Sequence, residues 1–102
     1  MRFRVRFTQD AQANLERLYD FFLQRDDGDF TAAEDALDAI RHGTALLETS
    51  PFSCRSAASG NAFLRELIIA FGSTGYVALF EIDNASTVTV LATRHQREDD
   101  FR

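Results

Sequence analysis

Hydrophobic and polar positions alternate strictly at the start of the chain. Phe3, Val5 and Phe7 interleave with Arg2, Arg4 and Arg6, the period of two that marks a half-buried β-strand. Thr8 then stands where a helix N-cap belongs, with Asp10 in the first turn to complement the helix dipole. From there the period changes. Ala11, Leu15, Leu18, Tyr19 and Phe22 recur at helical spacing, which predicts an amphipathic helix ending near Arg25. Asp26-Asp27-Gly28-Asp29 reads as a turn. Thr31 and Glu34 have the spacing of a capping box, with Phe30 as its hydrophobic staple. Ala33, Leu37, Ile40, Thr44 and Leu47 form a second helical stripe, which stops before Thr49-Ser50-Pro51. The stretch from Ser50 to Asn61 is small and polar around Phe52 and Cys54, and reads as a loop. Strands are expected over Phe63–Phe71, Tyr76–Ile82 and Thr87–Arg94. The four-residue turns between them, Gly72-Ser73-Thr74-Gly75 and Asp83-Asn84-Ala85-Ser86, make them adjacent antiparallel hairpins. The predicted order is β-α-α-β-β-β. That is an α+β domain over residues 1–102, with a helical hairpin packed on one face of a small, mostly antiparallel sheet.

Composition narrows the classes. A chain of 102 residues has room for one core, and with 45% apolar residues and ten Phe it can fold by burial alone. No stretch reaches the ~20 apolar residues of a membrane span, and the charged N-terminus has no apolar segment after it to act as a secretory signal. Cys54 is the single cysteine, so no disulfide forms within the chain and a reducing, cytoplasmic setting is expected. The net charge of −5 is uneven. Residues 10–48 carry ten acids against three Arg, whereas the remainder carries eight Arg against six acids. All eleven basic residues are Arg. Arg forks onto carboxylate or phosphate, although an Arg-favouring codon usage would give the same composition. Overall acidity is not the signature of a nucleic-acid binder. There is neither a Gly-rich phosphate loop nor a His/Cys spacing suited to a metal, so no cofactor and no metal site are expected.

The final strand runs without a break into Arg94-His95-Gln96-Arg97-Glu98-Asp99-Asp100-Phe101. With Ser50-Pro51-Phe52-Ser53-Cys54-Arg55, Phe63-Leu64-Arg65-Glu66-Leu67-Ile68-Ile69 and Phe71-Gly72-Ser73-Thr74-Gly75-Tyr76-Val77, this string resembles the ParE/RelE toxins of type II toxin–antitoxin systems, also called plasmid stabilisation proteins. The likeness covers essentially the whole chain and is closer to ParE. It implies a toxin neutralised by a partner antitoxin, often ParD-like, with one of two activities, or else a toxin-fold binding module that has lost toxicity. ParE-like members inhibit DNA gyrase without being enzymes. RelE-like members cleave mRNA on the ribosome, with Arg and Lys on the sheet and a Tyr near the C-terminus. Here that Tyr position falls on Phe101, which can neither give nor take a proton, and there is no Lys. The gyrase reading is therefore preferred. No catalytic residue is firm; a nuclease would have to use Arg65, His95 and Arg97.

The resemblance makes Arg94, His95, Gln96 and Arg97 the candidate target-binding residues. The alternative is a solvated strand end whose charges pair with Glu98, Asp99 and Asp100, although such exposed pairs contribute only ~0–1 kcal/mol each. Candidate antitoxin contacts are Arg4, Arg6, Arg65, Leu67 and Ile69. Arg4 and Arg6 either meet an acidic antitoxin segment or are simply solvated. Arg65 either anchors an antitoxin carboxylate or lays its stem on the sheet with its head in water. The strand from Phe63 is apolar on both parities, with Leu67 and Ile69 on one and Leu64, Ile68 and Ala70 on the other. One face can close on the helices. The other is expected to be covered by a helix or strand of the partner, since exposed apolar patches mark binding sites.

Overall fold

In the computed structural model, residues 2–25, 30–58, 61–71 and 74–95 are described. The alternating N-terminal segment forms β1 (Arg4–Phe7), with its Arg positions exposed and Val5 and Phe7 partly buried. α1 (Gln9–Arg25) begins at the expected cap. Thr8 Oγ1 accepts the Ala11 N–H at 3.0 Å, while Thr8 O accepts the Gln12 N–H at 3.0 Å. α2 (Phe30–Ala45) runs into 3₁₀ turns over Leu46–Glu48 and Pro51–Ser53. Its start corrects the capping box. The helix already includes Phe30, so Thr31 lies inside the first turn, and Glu34 helps to raise the pKa of Tyr19 across the hairpin. The expected turn at 26–29 lies outside the described residues.

The predicted loop after Pro51 is corrected too. Arg55–Ala58 is a strand, β2, paired antiparallel with β3 (Asn61–Phe71) through Arg55↔Glu66 and Ser56↔Arg65. Its small side chains carry no apolar alternation, so only the pairing reveals it. β4 (Thr74–Asn84) and β5 (Thr87–His95) complete a sheet of order β1-β5-β4-β3-β2. β1 and β5 are parallel and the other pairs antiparallel. The β4–β5 turn is tighter than expected: Asn84 pairs with Thr87, and Asn84 Oδ1 accepts the Ser86 N–H at 2.8 Å.

The helical hairpin covers one face of this sheet. Ala11 and Leu18 from α1 and Ala36 and Ile40 from α2 pack on Leu67, Ile69, Tyr76, Phe80, Val88 and Val90. Thr44 is buried as well, with its hydroxyl satisfied by donating back to Ile40 O at 3.0 Å. The tightest helix–sheet approach is at Gly43, where an added Cβ would lie 2.7 Å from Ile69 Cγ1. That atom is the branch of a buried side chain and cannot swing away. Gly43→Ala should therefore lower stability by about 1–2 kcal/mol despite the better helix propensity of Ala. Urea unfolding checks this, and Gly43→Ala combined with Ile69→Val should recover part of the loss.

Candidate functional site

The face of the sheet turned away from the helices is built by strand alternation. Arg4 and Arg6 of β1, Leu64, Glu66 and Ile68 of β3, and Val77, Leu79 and Glu81 of β4 all have the parity opposite to the core residues. Cross-strand pairing sets them in rows: Arg6–Thr89–Glu81–Leu64, then Ala92–Leu79–Glu66–Arg55, then Arg94–Val77–Ile68. Ile68 is 41% exposed in the last row. Arg55 pairs with Glu66 at 2.9 Å, and Arg2 pairs with Glu48. Arg4 and Arg6 are exposed and enter no ion pair among the described residues. This face thus has an apolar middle, in which Ile68 is exposed, Leu64 and Leu79 are half-buried and Val77 is buried, and along its β1 side positive charge that has no ion-pair partner among the described residues.

Arg94 reaches the open face only because of a bulge. Leu79 pairs with Ala92 but Phe80 pairs with Val90, so Leu91 is the extra residue. Before it, Val88 and Val90 face the helices; after it, Thr93 and His95 do, opposite Ala78 and Tyr76. Unbroken alternation would have placed Arg94 under the helices. Period-two reading carries no signal of the bulge. Arg94 and His95, expected as one target-facing cluster, lie on opposite faces as neighbours in a strand must, and the bulge sets which of them faces the helices. The His95 ring stands edge-on to Tyr76, centroids 5.5 Å apart. Gln96, Arg97 and the following residues to Phe101 lie outside the described residues.

Leu67 and Ile69 are corrected as antitoxin contacts. They are 8% and 5% exposed and belong to the core, because their parity is the one the helices cover. The surface parity of β3 is Leu64, Ile68 and Ala70 instead. Arg65 is also engaged within the chain. Its guanidinium donates to Phe52 O at 3.0 Å, to Ala62 O at 2.8 Å and to Cys54 O, and lies 5.3 Å from the Phe52 ring centroid. It ties the Pro51–Ser53 turn and the start of β2 onto β3. Its head is partly exposed but held by carbonyls of its own chain rather than set out as an anchor for a partner's carboxylate. Burial pushes the Cys54 thiol up, against the opposing pull of Arg65.

The nuclease set does not converge among the described residues. Arg65 pairs with Phe80 and His95 with Tyr76. Those β4 positions are separated by four residues, which is roughly 13 Å at the rise of a strand. Of the two tyrosines, Tyr76 is 1% exposed and its hydroxyl has no hydrogen-bond partner among the described residues, and desolvation pushes its pKa up to about 12. Tyr19 lies in a cleft of about 530 Å³ between the helices, with Leu15, Leu37, Glu16 and Glu34. Its pKa is raised by desolvation and then by Glu34. No three His, Cys, Asp or Glu among the described residues gather to hold a metal ion, and no described helix is long and apolar enough to cross a membrane.

This architecture has relatives. The model of the ParE toxin of the type II toxin–antitoxin system parDE matches residues 5–100. A solved structure titled as the chromosomal ParDE toxin–antitoxin system from P. aeruginosa superposes with a TM-score of 0.72, covering 91% of this chain and 95% of that one at 17% identity. No curated protein sequence matches. The chain belongs to the ParE toxin family of type II toxin–antitoxin systems.

Two predictions follow from the described geometry. Removing the three carbonyl contacts of Arg65 by Arg65→Ala should destabilise the fold by about 2–3 kcal/mol. Arg65→Lys should restore little, since an ammonium cannot reproduce the planar fork; thermal unfolding of both variants checks this. For Tyr76, a phenol whose folded pKa is raised from 10.0 to about 12 contributes its stability in full below pH 10 and loses it as pH rises through 12. Urea unfolding at about pH 9 and about pH 12 should show the wild type losing roughly 2–3 kcal/mol more than Tyr76→Phe. Equal losses would contradict the assignment.

Proposed function

We propose that this ParE-family toxin inhibits DNA gyrase, acting in the cytoplasm, and is held inactive by a ParD-like antitoxin seated on the open face of its sheet. The observation that carries the gyrase reading over mRNA cleavage is the separation of Arg65 from His95. Cleavage needs a base, an acid and cations around one phosphate. Arg65 is instead committed to three backbone carbonyls at the far end of the sheet. The chain also has no Lys, and the Tyr76 hydroxyl is buried with its pKa raised away from neutrality. The proposed target contacts are the strand end at Arg94 and His95 with Gln96 and Arg97 beyond it. They act by binding rather than by proton transfer.

The antitoxin reading rests on the open face. An apolar middle at Leu64, Ile68 and Leu79, flanked by exposed Arg4 and Arg6, suits an amphipathic segment that presents apolar residues and carboxylates. Charge on the β1 side steers such a segment and sets its direction.

Purified protein should abolish supercoiling of relaxed plasmid by gyrase with ATP and leave cleaved DNA trapped, and antitoxin added beforehand should prevent both. Normal supercoiling by gyrase exposed to folded toxin would sink the target reading and turn attention to translating ribosomes. Separately, Ile68→Asp, and Arg4→Glu with Arg6→Glu, should each weaken antitoxin binding at least tenfold by calorimetry while leaving the melting temperature nearly unchanged.

A further inference from the structure

β5 outruns its neighbour. β1 ends at Phe7, which pairs with Val90, whereas β5 continues to His95. Beyond Val90 the backbone groups on that edge need partners from elsewhere. α1 supplies them. Thr8 donates its N–H to Val90 O at 3.0 Å and its hydroxyl to Leu91 O at 3.1 Å. Less than two turns further on, Asn14 Oδ1 accepts the Thr93 N–H at 3.0 Å. Thr93 is 1% exposed, so water does not offer its amide an equivalent partner.

Asn14 breaks a local rule. It shares the sheet-facing side of α1 with Ala11, Leu15 and Leu18, and Asn is a poorer helix former than the apolar residues around it. A polar side chain on an apolar stripe calls for a specific reason. The reason on hand is the amide two residues past the Leu91 bulge, where the alternation of β5 has just been reset. We propose that Asn14 is a positioning residue for the target-facing strand end. By holding Thr93 N–H against α1, it fixes the register of β5 after the bulge. That register turns Arg94 to the open face and His95 onto Tyr76. The claim that this matters for activity rests on the proposed target reading; the claim about register does not.

The test compares wild type with Asn14→Ala, which removes the acceptor, and Asn14→Asp, which keeps an acceptor oxygen. Amide exchange by NMR reads the Thr93 hydrogen bond directly, and the His95 ring resonances read the register that it holds. In Asn14→Ala the Thr93 amide should exchange at least tenfold faster. Ala92 and Arg94, whose amides alternation turns towards β4, should change less than threefold. The ring resonances of His95 should move with Thr93. Gyrase inhibition should fall at least tenfold with antitoxin affinity unchanged, and Asn14→Asp should restore both the exchange rate and the inhibition. Unchanged Thr93 exchange in Asn14→Ala would overturn the proposal. So would equal acceleration of all three amides with a lowered melting temperature, since Asn14 would then serve general stability. Full gyrase inhibition despite a released Thr93 would overturn its functional half. If wild-type protein itself leaves gyrase untouched, the target reading fails on its own, and the exchange and His95 data still decide whether Asn14 sets the register.

Discussion

The unequal length of β1 and β5 is the constraint on which the rest of this structure depends. A nine-residue strand lies between a four-residue parallel neighbour and an eleven-residue antiparallel one. Its β4 side is paired through to His95, but its β1 side runs out of partner at Val90. Unpaired backbone groups in a buried strand are expensive, so the helix that follows β1 has to finish what β1 begins. This explains why Thr8 does two jobs, capping α1 and closing the edge of β5. It also explains why a polar Asn14 is tolerated on the packed side of α1. The bulge at Leu91 falls at the same place, where β5 changes neighbours and is free to change parity.

From that arrangement comes the division of the sheet. One face carries large apolar side chains and closes on the helical hairpin, with the approach set by Gly43 against Ile69. The other keeps an apolar middle but borders it with arginines that have no ion-pair partner among the described residues. A protein fated to remain alone would gain by covering such a surface, because exposed contiguous apolar area favours association. For a member of a toxin family whose proposed biology is a complex with an antitoxin, the same surface is an asset. The placement of Arg94 on this face also sets one proposed target residue beside the proposed antitoxin surface.

Much of this fold was legible in the residues alone. Period two in β1, period 3.6 in both helices and the β-branched run of β5 each reflect one buried side, which is what periodicity measures. β2 escaped because Arg55-Ser56-Ala57-Ala58 carries no apolar alternation and is defined by its pairing with β3. The site was less legible. Leu67 and Ile69 were set against a partner because β3 is apolar on both parities, and nothing in a single strand says which side the helices take. Two of the three carbonyls that hold Arg65, those of Phe52 and Cys54, come from a segment brought to β3 only by folding. The shift of parity at Leu91, which decides that Arg94 rather than His95 lies on the face away from the helices, left no mark in the hydrophobic pattern. Gln96 and Arg97, the continuation of the Arg-His-Gln-Arg string, were legible only as sequence.

The division of the two faces is tested most directly by a methyl-resolved NMR titration of isotope-labelled toxin with its ParD-like antitoxin. The account predicts large shifts for the methyls of Leu64, Ile68 and Leu79, with those of Leu67, Ile69 and Val88 nearly still. Shifts concentrated instead on Leu15 and Leu37, in the cleft between the helices, would contradict it and move the antitoxin to the opposite side of the molecule.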